Sequence, residues 1–144
     1  MKEKTASWLD SSAILALLDG EPGVETVREL LEDAERGRAS VYFSAVTLTE
    51  IVSSLTKTHG ESAARDELQV VLTLPCEIAV PTRAQFIEAG WLRGLHRLST
   101  ADAVIAVQAI AANAALVHKD PEFEAISDLR QTPLPYKKPG TRSR

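Results

Sequence analysis

Cysteine is nearly missing from this chain, with Cys76 the only one among 144 residues. A lone cysteine closes no internal disulfide, so the fold must be held by its core, and the expected compartment is a reducing cytoplasm. Cys76 itself reads as a small buried hydrophobe rather than a reactive thiol. Long apolar runs are missing too. The most apolar stretch, residues 101–117, is broken by Asp102, Gln108 and Asn113, so no membrane span is expected. Lys2 and Lys4 precede an apolar stretch, but Asp10 interrupts it and residues 13–18 are too few for the apolar core of a signal peptide, so export is not expected. There is no excess of positive charge. The formal net charge of -4 gives no general attraction to nucleic acid, so any such activity must come from a local site. Finally, His59, His96 and His118 are scattered without the spacing of zinc ligands and read as structural or exposed.

What is present is a globular composition, 44% hydrophobic, in a length that suits one domain with a real core. Residues 1–135 form that domain and residues 136–144, ending KKPGTRSR, a basic tail. The chain alternates strand and helix signals. Strands are expected at 6–9, 41–43, 77–80 and 114–118, with a short edge strand at 132–134. Helices are expected at 11–19, 24–36, 45–58, 61–72, 82–96 and 101–112, the fifth with Phe86, Ala89 and Trp91 among its apolar positions. Such alternation argues for an α/β domain with a mainly parallel sheet covered by helices on both faces. Residues 98–123 organise the rest: Ser99 and Thr100 are N-cap types, the alanine-rich helix is apolar nearly all round, Asn113 stops it, and a buried strand ends at Asp120 and Pro121.

In parallel α/β folds ligands sit outside the carboxyl ends of the strands. Asp10 ends the first strand and Asp120 the fourth. Glu50 lies in the helix that leaves the second strand, and helical side chains lean towards the N-terminus, so it reaches the same edge. Asp102 arrives there if its helix descends from that edge into the fourth strand. Each acid has a plainer reading: Asp10 as an N-cap, Asp102 as a first-turn complement to the helix dipole, Asp120 as turn grammar before proline, Glu50 as part of a solvated face. Four such accidents on one edge are less economical than one site. Clustered carboxylates raise one another's pKa unless a cation neutralises them, and an all-oxygen set suits a hard divalent ion such as Mg²⁺. Ser12 either hydrogen-bonds an acid or caps its helix.

With these residues placed, the chain resembles a PIN-domain ribonuclease of the VapC toxin type. The resemblance is carried by WLDSSAILALL ending at Leu18, SAVTLTEI at 44–51, LSTADAVIAVQA at 98–109 and ALVHKDPEF at 115–123. It implies a three-layer α/β/α sandwich with a five-stranded, mainly parallel sheet. It also implies that Asp10, Glu50, Asp102 and Asp120 hold one or two Mg²⁺ or Mn²⁺ ions, with the residue at Ser12 in support. The expected activity is that of a type II toxin, an endoribonuclease using metal-activated water, partnered by a VapB-type antitoxin and forming a homodimer. A PIN-fold binding module without catalysis and a housekeeping PIN nuclease are the alternatives. Lys119 stands where the family often has arginine, which keeps the charge but not a bidentate phosphate contact. Glu122 and Glu124 are expected at most beside the site. A receiver domain would need an acid after the third strand, where Pro81 stands, and a haloacid-dehalogenase-type phosphatase an aspartate in place of Ser12.

Overall fold

A computed structural model describes residues 4–136, so all of the basic tail expected at 136–144 except Tyr136 lies outside the described residues. The elements run β1 (Thr5–Leu9), α1 (Ser11–Asp19), α2 (Val24–Glu35), β2 (Ala39–Ser44), α3 (Ala45–His59), α4 (Glu61–Leu72), β3 (Glu77–Ala79), α5 (Arg83–Leu95), α6 (Thr100–Ala111), β4 (Ala115–His118) and β5 (Gln131–Pro133), with a 3₁₀ turn at Pro121–Ala125. Local chemistry sets the boundaries. Thr82 and Gln85 form a reciprocal capping box at the start of α5, and the Ser99 hydroxyl accepts the Asp102 N–H at the start of α6. Asn113, at φ 49°, turns the chain from α6 into β4, a left-handed conformation that asparagine tolerates.

All five strands pair in parallel, in the order β3-β2-β1-β4-β5. The chain steps from β1 outwards to β2 and β3, then crosses back through α5 and α6 to lay β4 on the other side of β1. The order therefore reverses between β1 and β4, and in open α/β sheets ligands bind outside the carboxyl ends of the strands at such a reversal.

The period of two along the strands sorts side chains into two cores. Leu9, Val41, Phe43 and Val117 point into one, where they meet Ile14, Val27, Ile51, Leu55 and Val71 of α1 to α4. Trp8 and Leu116 point the other way, onto Ala103, Ile105, Ala106 and Ala109 of α6 and onto Phe123. This is the three-layer α/β/α sandwich implied by the sequence. Burial of α6 on nearly every side matches its all-round apolar character.

The face of α5 departs from expectation. Ala89 is its one fully buried residue, while Phe86 and Trp91 are 50% and 69% exposed. The reason is position: α5 packs mainly on α6, which already covers the sheet, so the core takes a small side chain from it and leaves the large ones outside. Cys76 is half-buried against the α1–α4 core, and burial pushes its thiol up to about 12, as an unreactive apolar residue requires.

Candidate active site

Asp10 leaves β1 in extended conformation and caps α1. Its Oδ2 accepts the Ser12 N–H at 3.2 Å and the Ser12 hydroxyl at 2.5 Å, and its own N–H continues the ladder to Val117 O at 3.0 Å. The capping role is therefore real, but it occupies one carboxylate oxygen only. Oδ1 is buried without a partner. Of the two readings of Ser12 the structure takes the first, since Asp10 and not Ser12 caps α1, and the Ser12 Oγ also accepts the Lys119 N–H at 3.1 Å and so ties the end of β1 to the end of β4.

Asp120 follows β4. Its N–H donates to His118 Nδ1 at 3.0 Å and its Oδ1 accepts the Glu122 N–H at 2.9 Å, which starts the 3₁₀ turn. Since Nδ1 accepts, Nε2 carries the ring proton and donates it to Gln131 Oε1 at 2.8 Å. Gln131 Nε2 in turn donates to Phe123 O at 2.9 Å. The fully buried His118 is thus a brace that fixes the turn bearing Asp120. No sequence signal marked that role, because its partner comes from the edge strand β5.

Glu50 lies in the second turn of α3, half-buried, with Oε1 buried and unpartnered. Burial first, then the repulsion of Asp10 and Asp102, push its carboxyl up to about 7. Asp102, the third residue of α6, is raised to about 6, mainly by burial, then by Asp10, with Asp120 and Glu122 adding to it. Asp10 is raised by burial, against the opposing hydrogen bonds from Ser12 and Ser11. Asp10, Glu50, Asp102 and Asp120 therefore share one electrostatic field at the carboxyl ends of β1 and β4. Glu122 stands at its margin, whereas Glu124 accepts the Tyr136 hydroxyl at 2.8 Å. Lys119 Nζ lies 3.6 Å from Glu21 Oε1, an ion pair with an acid outside the four.

Two buried carboxylate oxygens without partners, in an all-oxygen set of mutually repelling acids, fit a hard divalent cation. A second group, Asp19, His59 and Glu67, has ligand atoms within 4.8 Å of one another, a closer grouping than that of the four acids. Its geometry is that of a clasp: His59 Nδ1 is 2.6 Å from Glu67 Oε1 and Nε2 is 3.9 Å from Asp19 Oδ1, joining the C-terminal ends of α1 and α3 to α4.

A parallel sheet with coupled carboxylates at its reversal point defines an α/β domain with an acidic edge, and comparison with known families specifies which. Residues 8–129 match the PIN domain, and the chain belongs to that family. Among solved structures, it is similar to VapBC2 of Rickettsia felis bound to a promoter DNA fragment, with a TM-score of 0.75 and 21% identity over 91% of this chain and 100% of that one. It is also similar to DNA-bound VapBC of Salmonella typhimurium, at TM-score 0.72 and 19% identity over 91% and 98%. VapC20 of Mycobacterium tuberculosis, a toxin that cleaves the sarcin-ricin loop, matches at TM-score 0.66 and 19% identity over 85% and 95%. No curated protein matches the sequence significantly.

Proposed function

We propose that this PIN domain is the toxin of a VapBC-type toxin–antitoxin pair, an endoribonuclease dependent on Mg²⁺ or Mn²⁺. The observation that carries the reading is the pair of buried, unpartnered oxygens, Asp10 Oδ1 and Glu50 Oε1, among acids gathered where the strand order reverses. PIN-domain nucleases in general use a divalent metal. Asp10, Asp102 and Asp120 would hold the ion, with Glu50 completing the set. When bound, a divalent ion supplies Lewis-acid charge that makes water a better nucleophile and offsets charge developing on the phosphodiester.

The protein's own residues prepare that site. Ser12 holds Asp10 with Oδ1 left free, His118 and the Glu122 N–H fix the turn that carries Asp120, and Ser99 caps the helix that carries Asp102. Where Glu50 does not itself complete the metal set, it would orient the attacking water, a role supported by its carboxyl being raised to about 7 by burial and by the neighbouring Asp10 and Asp102. Because water attacks, no 2′-hydroxyl is required and the products are a 5′-phosphate and a 3′-hydroxyl. The similarity to VapBC complexes supports a VapB-type antitoxin as partner. An apolar stripe on α5, with Ile87, Trp91 and Leu95 at 55%, 69% and 81% exposure, supports a homodimer.

The test is cleavage of RNA with Mn²⁺ by the wild type beside Asp10→Asn and Asp102→Asn, each checked for native circular dichroism. The expected result is loss of about a hundredfold or more in each variant, with products carrying 5′-phosphates. Equal cleavage by the variants removes the assignment. Absence of Mn²⁺ binding in calorimetry turns the domain into a binding module.

A further inference from the structure

α5 carries two glycines, Gly90 inside the helix and Gly94 in its last turn. Neither has a positive φ, and a Cβ built on either meets nothing within 4 Å. Each costs helix propensity relative to alanine, and nothing inside the chain requires the missing side chain. What their absence makes is an open groove of about 360 Å³, lined by Gly90, Arg93, Gly94, His96, Arg97 and Leu98. Its charged lining is wholly cationic, in a chain with net charge -4. Arg93 donates through Nε to Leu98 O at 3.0 Å, which fixes its stem and leaves its terminal amino groups for a ligand. Among the described residues neither Arg93 nor Arg97 forms an ion pair.

The groove also has a direction. Its last lining residue, Leu98, is followed by Ser99, the cap of α6, and Asp102 lies in the first turn of that helix. A chain of phosphates lying over Gly90 and Gly94 therefore runs towards the acids, where phosphates would otherwise be repelled. We infer that the Gly90–Leu98 groove is a docking track for the backbone of single-stranded RNA on its way to the acids, with Arg93 and Arg97 pairing with successive phosphates. This rests on the ribonuclease reading and adds to it the surface that receives the substrate. A second copy of the chain is a poorer occupant. In a two-fold contact centred on the groove, Arg93 and Arg97 would face their own counterparts, whereas the Ile87–Trp91–Leu95 stripe on the neighbouring flank has no such conflict.

The probe is a fluorescein-labelled single-stranded RNA of mixed sequence, titrated by anisotropy in EDTA at several salt concentrations, so that binding is read without cleavage. The proteins are the full chain, Arg97→Gln, Arg93→Gln and Gly94→Leu, with KM and kcat for Mn²⁺-dependent cleavage measured in parallel. Each arginine variant should weaken binding about threefold to tenfold, lower the slope of log Kd against log salt by about 0.7, and raise KM with kcat unchanged. Gly94→Leu should bind RNA more weakly while melting at a higher temperature, a combination that a merely structural glycine does not give. Unchanged Kd and salt slope in all three natively folded variants overturn the track, even if the wild type cleaves RNA. So does a dimer that dissociates in Gly94→Leu while RNA affinity is kept. If the wild type binds with the expected slope and the variants lose it, but no RNA is cut with Mn²⁺, the track stands and the nuclease reading falls.

Discussion

Ser12 shows how a small side chain can govern a carboxylate of the proposed metal site. Its hydroxyl donates to Asp10 Oδ2 and accepts the Lys119 N–H, so one oxygen sets the rotamer of Asp10 and the separation of two strand ends. Ser12→Ala should cost about 1–2 kcal/mol in urea denaturation, since a charge-assisted bond is lost and a backbone donor is left unpaired. Metal-dependent cleavage should fall about tenfold to a hundredfold, short of the loss in Asp10→Asn, as expected for a group that orients a ligand. An unchanged rate would mean that Asp10 keeps its place without help. At this scale the sequence was informative where position alone decides: an aspartate closing an apolar strand is visible in a string of letters. It was silent on His118, whose partner Gln131 reaches it only through the β4–β5 pairing. It was equally silent on Gly90 and Gly94, since a helical glycine reads only as a weakness until the space above it is known.

Among the elements, α6 carries the heaviest demands. It must pass close beneath the sheet and still present Asp102 at its first turn. Ala103, Ala106 and Ala109 are fully buried, and Ala106 lies one turn beyond Asp102 on the same side of the helix. Ala106→Leu would force α6 away from Trp8 and Leu116 and should destabilise by about 1–3 kcal/mol, with a loss of cleavage as Asp102 is displaced. Ala111→Leu, at an exposed position of the same helix, should change stability by less than about 0.5 kcal/mol and leave cleavage intact. Urea midpoints and single-turnover rates for the pair separate packing from propensity; equal effects would show that α6 does not hold Asp102 by close approach. The helices and strands were legible to within a residue or two, because capping residues and apolar periodicity are local. The direction of the α5–α6 connection was not, since periodicity specifies a face but no heading. Nor was the exposure of Phe86 and Trp91, because what α5 must cover is decided by α6.

For the whole molecule, gathering acids at one edge sets stability against function. Asp10, Glu50 and Asp102 all have carboxyls raised above their ordinary values, the last two to about 7 and about 6. A raised carboxylate pKa means that the folded chain holds protons which the unfolded chain has released. Unfolding therefore becomes easier as pH rises from the ordinary carboxylate value of 4.5 for Glu50 to about 7, and this stability is fully present only below that window. In EDTA the melting temperature should fall across that range and then level off. Mg²⁺ or Mn²⁺ should restore it at neutral pH and do little at its acidic end, since only the ionised acids bind the metal. Glu50→Gln removes one of the repelling charges, so in EDTA at neutral pH it should melt higher than the wild type, have a shallower pH slope and gain less from Mn²⁺, while cleaving RNA poorly. Differential scanning fluorimetry of both proteins, with and without metal, measures all of these. A wild-type melting temperature independent of pH in EDTA, or a Glu50→Gln variant less stable than the wild type there, would show that the four acids do not strain the fold, and that stability has not been given up to keep a cation site.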